Sequence, residues 1–421
     1  MSCPFGGSPS RRGFLAAAGV LAGASGVTKA QSAARPAVEP FRGPHQAGIA
    51  TSQQSHTCFV AFDLTAMQRE DVVTLLRVWT EAAERMTRGE TARVLAGDAT
   101  PVAPDGGAGL GLSPARLTLT FGFGPGLFGK DGKDRYGLAA KRPAALAELP
   151  KFNGDQLEPA RCGGDLSVQA CADDPQVAFH AVRELDRLAY GTAQIRWMQS
   201  GFVPNTPAGE TARNLMGFKD GTNNPATVAT RTDAPRDLDD VVWVREEGPE
   251  WLRGGSYLVM RRIRISLEHW DRTELEFQEE VIGRHKYSGA PIGKQNELDP
   301  LELGREDKEG APVIAETAHV RMGAAATNGG AQILRRAWSY NDGVRFTAER
   351  WPPWRQGMMY DAGLFFLAYQ RDPRGGFIRI FENMAKFDML NQFTTHNGSA
   401  LFACPRGAAE GEYIGQRLFD T

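Results

Sequence analysis

The order of predicted strands and helices is the feature that most constrains how this chain can fold. In the first half, four segments with alternating or continuous apolar residues predict strands, and apolar residues at helical spacing lie between the first and second and between the third and fourth of them. The predicted strands are 56–64, 116–123, 165–172 and 193–202. The order β-α-β-β-α-β is typical of a ferredoxin-like unit with an antiparallel sheet.

The second half repeats this plan. Its predicted strands and helices are 256–266, 274–282, 333–340, 363–369, 377–389 and 399–404. A chain of 421 residues is also longer than one small core requires. We therefore predict an α+β protein of tandem ferredoxin-like units, with an N-terminal domain at 35–225 and a C-terminal domain at 226–421. The Gly- and Pro-rich connection 288–312 is long enough to favour a functional role.

The two helices of the first half have clear end signals. Thr65 is predicted to be the N-cap of the first helix, because Gln68 follows it at capping-box spacing. Gly89 is predicted to end that helix. Pro175 is predicted to begin the second helix, since proline suits the first helical position.

Residues 1–34 are predicted to be a twin-arginine signal peptide. Arg11 and Arg12 precede Phe14, Leu15 and an apolar, Ala- and Gly-rich run to Val27. This run is too short for a membrane span, which takes about 20 apolar residues. We expect the mature chain to be exported in its folded state, to be periplasmic or extracellular, and to have no membrane span.

Charge and cysteine content limit the classes of partner and cofactor site. The formal net charge is −2, with Lys and Arg spread among acidic residues, so no basic surface for nucleic acid is predicted. No Cys-x-x-Cys motif joins the cysteines that follow the signal. Cys58 and Cys404 lie in apolar strand-like runs and are predicted to be buried thiols. A disulfide between Cys162 and Cys171 remains open.

A run of turn-forming residues at 217–225 contains one carboxylate, Asp220, where no regular element can persist. Glycines in such a turn let the backbone approach a flat ligand closely. Local sequence alone favours a turn carboxylate that hydrogen-bonds its own backbone. Two later segments change this interpretation, a His-Val-Arg that begins at His319 and a Leu-Arg-Arg that contains Arg335.

These three segments, with the Cys-Gly-Gly-Asp-Leu at 162–166 and the Phe-Gly-Phe-Gly-Pro-Gly at 121–126, resemble the dye-decolourising peroxidase family of haem enzymes. The resemblance covers nearly the whole mature chain, from Ser55 to Pro405. It is greatest to the twin-arginine-exported branch that includes the deferrochelatases. It implies one haem b per chain, held without covalent attachment in a pocket enclosed by the antiparallel sheets.

The resemblance also implies roles for three side chains. Asp220 would face the open side of the haem and move a proton between the oxygens of hydrogen peroxide. His319, preferred over its nearest rival His396, would be the axial ligand of the iron. Arg335 would stabilise negative charge on the departing oxygen. Its neighbour Arg336 points to the other face of the strand and is predicted to lie at a solvated edge.

Five further residues are expected to contact haem because the resemblance aligns them with contacts in the family. Gly221, Thr222 and Asn223 directly follow Asp220 in the sequence. Arg284 matches an arginine that pairs with a haem propionate. Ala324 begins a run of small residues that permits close approach.

Two positions depart from the family pattern. Many relatives carry an acidic residue that hydrogen-bonds the axial histidine, and this chain has Gln392 there, which predicts a higher iron potential. Asp388 is nearby but offset, and would replace that residue only if the end of the preceding helix allows it. Some relatives also carry an asparagine where this chain has Ala337.

The resemblance implies a peroxidase that reduces hydrogen peroxide and oxidises small organic donors such as dyes or phenols. An alternative is a deferrochelatase that works with iron-uptake components and releases iron from haem while the macrocycle stays intact. A third is a haem carrier with an inactive distal pair. A homodimer is left open.

Overall fold

The computed structural model describes residues 38–95, 103–204, 206–207, 210–225, 238–349 and 354–420. The predicted signal peptide at 1–34 lies outside the described residues. The predicted class, α+β with an antiparallel sheet, is confirmed.

The described strands close into one antiparallel barrel in the order β1-β3-β2-β8-β5-β7-β6-β4. Their bounds are β1 His56–Leu64, β2 Thr118–Phe123, β3 Leu166–Ala172, β4 Ala193–Phe202, β5 Ser256–Ile265, β6 Leu334–Ala348, β7 Gln356–Gln370 and β8 Thr394–Cys404. Each half of the chain contributes four adjacent strands. The order is β4-β1-β3-β2 in the first half and β8-β5-β7-β6 in the second, so both halves place their own strands in the order fourth, first, third, second. The halves join at single residue pairs, Phe123 with Ala403 and Phe202 with Ser339.

Helices lie around this sheet and in its connections. Their bounds are α1 Arg69–Thr87, α2 Pro125–Phe128, α3 Pro175–Leu188, α4 Leu238–Val241, α5 Leu267–Trp270, α6 Leu275–Ile282, α7 His319–Met322, α8 Arg379–Phe387 and α9 Gln416–Asp420. Short 3-10 turns occur at Ala139–Lys141, Pro159–Arg161, Glu250–Leu252 and Met389–Gln392, and a π-helical turn at Arg374–Ile378 leads into α8. Among the described helices, none has the length and apolar character needed to cross a membrane.

The start of α1 differs from the prediction. Thr65 does not cap it, because the Thr65 N–H donates to the carbonyl oxygen of Thr192 at 2.9 Å and keeps the chain beside the start of β4. The helix begins at Arg69, and Gln68 at the N-cap position makes no side-chain cap. Gly89 follows directly after the end of α1, as predicted.

Two apolar layers hold the barrel and its helices together. α1 and α3 cover the outside of the N-terminal strands, where the Trp79 indole donates to the carbonyl oxygen of Leu185 at 2.8 Å. A second layer fills the space between the halves. There the ring of Phe59 contacts Phe365 and Phe402 at centroid distances of 5.6 and 6.0 Å. This shared layer packs strands of the two halves against each other.

β6 and β7 are longer than predicted and form a hairpin that extends past the barrel. The sequence Asn341-Asp342-Gly343 suggests a turn, yet it lies at a register shift inside β6. Beyond it, Val344 pairs with Tyr360 and Phe346 with Met358 in the extended ladder. These four side chains are exposed.

The four described cysteines are free thiols. Burial raises the pKa of Cys58 to about 12, and Cys404 is likewise buried, which confirms the prediction for this pair. Cys171 is buried beside Thr57, whereas Cys162 is half-buried near Ser399. The disulfide left open by the sequence is not formed.

Candidate active site

A cavity lies in the C-terminal half, between the loop that precedes residue 225 and the helices α7 and α8. Its lining brings together all of the predicted site residues, although they come from distant parts of the chain. These are Asp220, Gly221, Thr222, Asn223, Arg284, His319, Ala324 and Arg335. Much of the remaining wall is apolar and includes Ile263, Ile265, Leu364, Phe366, Phe377, Ile380 and Phe381.

Asp220 is held by a tight turn. The Asn214 carboxamide oxygen accepts the backbone N–H groups of Met216 and Phe218, which closes the preceding turn. The Asp220 N–H donates to the carbonyl oxygen of Ala212 at 2.9 Å. Gly221 has φ of 120°, a backbone conformation that glycine adopts without strain. The chain therefore reverses just after Asp220 and leaves its carboxylate at the cavity wall.

Arg335 contacts Asp220 across this wall. Its Nη1 donates to Asp220 Oδ1 at 3.0 Å, and both side chains remain partly exposed to the cavity. Asn224 fixes the Arg335 peptide, because its carboxamide accepts the Arg335 N–H at 3.0 Å and donates to the Arg335 carbonyl at 2.6 Å. This buried asparagine was not predicted as a site residue. It takes the place of a strand partner for β6 and links the loop to that strand.

His319 begins α7 and faces the same cavity. Its Nδ1 lies 2.7 Å from Asp388 Oδ2, and the other oxygen of that carboxylate accepts the Leu390 N–H at 2.8 Å. Burial lowers the pKa of His319, but the charge and hydrogen bond of Asp388 outweigh it, so the pKa is raised above 6.5. The carboxylate thus fixes the ring with Nε2 free of hydrogen bonds within the described residues.

The sequence left open whether Asp388 takes the place of the acidic partner that Gln392 does not supply, and the structure shows that it does. α8 ends at Phe387, and Asp388 leaves the helix in an extended conformation. It then caps the 3-10 turn Met389–Gln392 and reaches His319. The acidic partner is present, supplied from four residues earlier in the chain.

His396 also lines the cavity, but its hydrogen bonding differs from that of His319. Its Nδ1 lies 3.0 Å from Arg261 Nε, which can only donate, so Nε2 carries the ring proton. Burial and the charge of Arg261 lower the pKa of His396 well below 6.5. A neutral ring with this tautomer has no free lone pair for a metal, whereas His319 Nε2 has one.

Arg284 is a buried cation at the cavity without an ion-pair partner among the described residues. It is 8% exposed, and its Nη1 donates to the carbonyl oxygens of Gly289 and Glu297 at 2.7 and 2.9 Å. Burial lowers its pKa, which measures the cost of desolvating the charge. A carboxylate on a bound ligand would compensate this charge.

The connection 288–312 contributes Glu297 to the edge of the site. Its carboxylate forms an ion pair with Lys219 and accepts the Thr222 hydroxyl at 3.0 Å. Burial alone would raise the pKa of Glu297, yet hydrogen bonds from Lys219, Thr211 and Thr222 hold it below its usual value. The connection is therefore tied to the Asp220 turn by a charged residue.

Arg336 does not lie at a solvated edge as predicted. It is buried on the face of β6 opposite the cavity, where Nη2 donates to Gln54 Oε1 at 2.9 Å and Nη1 donates to the Thr51 carbonyl. The alternation of β6 places it away from Arg335, but the segment around Gln54 covers that face. The arginine pair thus has one cavity residue and one structural residue.

The residues of this cavity fit a haem group. The donor set offers one imidazole nitrogen for iron, one uncompensated buried cation for a propionate, and apolar walls for the macrocycle. On the open side, a carboxylate and a guanidinium are in contact. Such a set can hold an iron porphyrin and move a proton next to it.

Family models match both halves of the chain. A model described as Dyp-type peroxidase, N-terminal, matches residues 46–203, and one described as Dyp-type peroxidase, C-terminal, matches residues 211–409.

Two curated relatives are similar over nearly their full lengths. The chain is 38% identical to a dye-decolorizing peroxidase of Thermobifida fusca, with 98% of this chain and 97% of the relative covered. It is 34% identical to a deferrochelatase of Escherichia coli, with 97% of each covered.

Solved structures show the same fold. Ferric DtpA from Streptomyces lividans matches with a TM-score of 0.80 and 41% identity, covering 91% of this chain and 98% of that one. A DyP-type peroxidase from Cellulomonas bogoriensis matches with a TM-score of 0.78 and 40% identity, covering 92% and 99%.

Proposed function

The chain belongs to the Dyp-type peroxidase family, and from this premise we propose how its own residues carry out the reaction. It is a haem peroxidase, an oxidoreductase that uses hydrogen peroxide as the acceptor. With two electrons and two protons from organic donors, hydrogen peroxide is reduced to two waters. The contact between Asp220 and Arg335, on the cavity that His319 Nε2 faces, is the observation that carries the proposal.

His319 and Arg284 would hold the haem. His319 would supply a nitrogen ligand to the iron through Nε2, since Asp388 holds its Nδ1. Arg284 would pair with a haem propionate. The negative charge of the propionate would replace the hydration that burial removes from the guanidinium. Gly221, Thr222 and Ala324 line the cavity as small side chains that allow close approach. Haem, when bound, would supply the redox centre that takes up the two oxidising equivalents of the peroxide and passes them to the donors.

Asp220 and Arg335 would act on the peroxide. The Asp220 carboxylate accepts the proton from one oxygen and delivers it to the other, which leaves as water. The Arg335 guanidinium donates to the departing oxygen while it orients Asp220. Asn224 fixes the backbone of Arg335. The Arg335 side chain therefore starts from a fixed position before peroxide binds.

An Asp220→Asn variant tests this assignment. We expect peroxide-dependent dye oxidation to fall by about 10²–10⁴-fold, the usual contribution of a positioned acid or base, while the Soret band stays unchanged. Asp271→Asn is the matched control, because Asp271 is exposed and absent from the cavity lining. Unchanged oxidation by the Asp220 variant would remove this residue from the mechanism.

A second candidate activity is release of iron from haem. The deferrochelatases at 34% identity, aligned over 97% of this chain, favour it. It would use the same cavity, but without turnover of reducing substrates. Incubation of the ferrous and ferric holoprotein without peroxide, with a chromatographic search for free protoporphyrin, separates the two activities. Intact haem throughout would reject iron release.

We also propose that the chain is exported folded by the twin-arginine route to the periplasm or the exterior, and that it works there with donors or iron-uptake components. Support comes from Arg11, Arg12 and the apolar run that follows. An Arg11→Lys, Arg12→Lys double variant should accumulate in the cytoplasm with its haem bound. Normal export of that variant would contradict the route.

A homodimer is proposed for the exported protein. The exposed side chains Val344, Phe346, Met358 and Tyr360 form two adjacent cross-strand pairs on the β6–β7 hairpin, an apolar group of the kind that interfaces cover. Light scattering should give twice the chain mass, and Phe346→Lys should give a monomer. A monomeric wild-type protein at micromolar concentration would reject this assembly.

The finer architecture proposed is a pair of related ferredoxin-like units. The same strand order in each half supports it, and so does the position of α1, α3 and α8 in the β-α-β-β-α-β order.

A further inference from the structure

We infer that Asp105, His180 and Glu184 form a site for one Zn²⁺ ion in the N-terminal half of the chain. The three side chains offer ligand atoms that lie within 4.8 Å of one another. None of them lines the cavity described above. The site is therefore separate from the haem chemistry and joins a loop to a helix.

The helix supplies two of the ligands. His180 and Glu184 are four residues apart on α3, so their side chains lie on the same face. Asp105 comes from the Gly-rich segment that precedes β2. The side chains of Asp105 and Glu184 are 0% and 1% exposed. Two carboxylates and an imidazole thus converge out of contact with bulk water.

His180 has no hydrogen-bond partner within the described residues. It is 7% exposed, and its Nδ1 is buried and unpaired. Its Nε2 points at Asp105 and lies 3.7 Å from Oδ1, beyond the reach of a hydrogen bond. Two ligands of a tetrahedral zinc ion, each about 2.0–2.2 Å from the metal, are roughly 3.3–3.6 Å apart. The separation is closer to that of two metal ligands than to that of a hydrogen-bonded pair.

Arg187 pairs with Glu184, whereas Asp105 has no arginine or lysine partner among the described residues. Glu184 Oε2 accepts from Arg187 at 2.6 Å and its Oε1 accepts the Gly106 N–H at 2.9 Å. Within the described part of the chain, Asp105 accepts backbone N–H groups alone, from Gly107 at 2.7 Å and Ala92 at 2.9 Å. Each carboxylate oxygen keeps a further lone pair. A buried carboxylate without a cation is costly, and a bound metal ion supplies that cation.

The loop that contains Asp105 packs tightly against the side chains of His180 and Glu184. A Cβ atom at Gly106 would lie 2.5 Å from Glu184 Oε1, and one at Gly109 would lie 2.6 Å from the His180 ring. Glycine at both positions therefore permits the loop to close over the ligands. Zinc is the ion that the ligand set favours, because an imidazole suits zinc, whereas magnesium and calcium prefer oxygen ligands throughout.

The zinc content of the haem-loaded wild-type protein tests the proposal without any variant. Elemental analysis after dialysis against zinc-free buffer should give one zinc per chain in addition to the haem iron. Removal of zinc with EDTA should lower Tm by at least about 2 °C, and ZnCl₂ should restore it. A protein that contains no zinc and whose Tm does not respond to ZnCl₂ would overturn the proposal.

Variants locate the ion. His180→Gln and Asp105→Asn should each lose the zinc and the response of Tm to EDTA, while the Soret band stays unchanged. Asp186→Asn on the same helix is the control and should keep both, since Asp186 is outside the cluster. Retention of one zinc by both cluster variants would place the ion elsewhere and reject the site.

Discussion

Asp388 Oδ2 lies 2.7 Å from His319 Nδ1, although the two residues are 69 positions apart in the sequence. The same carboxylate caps a 3-10 turn through its second oxygen, so its orientation is fixed from two sides. An anionic partner makes an imidazole a stronger electron donor to a metal. The electronic character of the haem site therefore depends on where α8 ends.

Replacement of Asp388 by Asn should raise the ferric–ferrous midpoint potential and lower peroxide-dependent oxidation by about 10–100-fold. Asn keeps an oxygen for the Leu390 N–H, so the turn should survive. Spectroelectrochemistry on the holoprotein measures the potential. Gln392→Ala is the control, since Gln392 is absent from the cavity lining. A larger effect at Gln392 than at Asp388 would reverse the assignment.

Asn224→Ala should slow turnover without loss of haem. The change removes two hydrogen bonds to the Arg335 peptide, each worth about 0.5–1.5 kcal/mol. We expect the free energy of unfolding to fall by about 1–3 kcal/mol and kcat to fall more than haem content. Asn341→Ala, at an exposed position of β6, serves as the control. Equal kcat in both variants would argue against a positioning role for Asn224.

Arg284→Met should affect the apoprotein and the holoprotein in opposite directions. Without ligand, the buried charge has no ion-pair partner among the described residues, so its removal should be neutral or stabilising. With haem, the lost pairing should weaken binding by about 10–100-fold, from a charged hydrogen bond of about 1.5–3 kcal/mol.

Chemical denaturation of the apoprotein and of the holoprotein measures the free energy of unfolding of each form. Haem transfer to apomyoglobin measures the affinity for haem. Arg253→Met, at an exposed position, should change neither quantity. Destabilisation of the Arg284 variant in both forms would show that the arginine is structural.

The contacts of Glu297 with Lys219 and Thr222, which link the connection 288–312 to the Asp220 turn, should be sensitive to acid. The pKa of Glu297 is lower in the folded chain than the usual 4.5, so the unfolded chain binds its proton first as pH falls. The stabilisation is complete above pH 4.5 and is lost as pH falls through the folded pKa. Glu297→Gln should cost about 1–3 kcal/mol at pH 7, and this difference should shrink below pH 4.5.

Urea denaturation of both proteins at pH 7, 5, 4 and 3 gives the difference directly. Glu309→Gln, at an exposed position of the same connection, controls for a general effect of charge. A difference that is constant across this range would mean that the Glu297 charge contributes nothing.

Strongly patterned segments could be predicted from the sequence, and details set by distant contacts could not. β1 and β4 have their predicted bounds because their alternation or continuous apolar run ends where turn residues begin. The site residues Asp220, His319 and Arg335 line one cavity, as the family resemblance implied. The N-cap at Thr65 failed because Thr192, over a hundred residues later, takes its N–H.

Three further differences from the sequence-based expectations share this origin. Arg336 is buried because the segment around Gln54 packs over it. The residue pattern of β6 alone does not predict that contact. The partner of His319 depends on the final turn of α8, and a helix predicted to run to residue 389 would keep Asp388 within its helical turn. The extension of β6 past Asn341 depends on a register shift that accommodates a sequence typical of turns.

The two halves of the barrel pair with each other through one residue pair at each junction. These pairs are Phe123 with Ala403 and Phe202 with Ser339. Within each half, the two central strands are fully paired with their own neighbours. An insertion or a register change in one half is therefore not transmitted along a continuous ladder to the other. Side-chain packing in the shared apolar layer, more than backbone hydrogen bonding, therefore holds the ligand-bearing half against its counterpart.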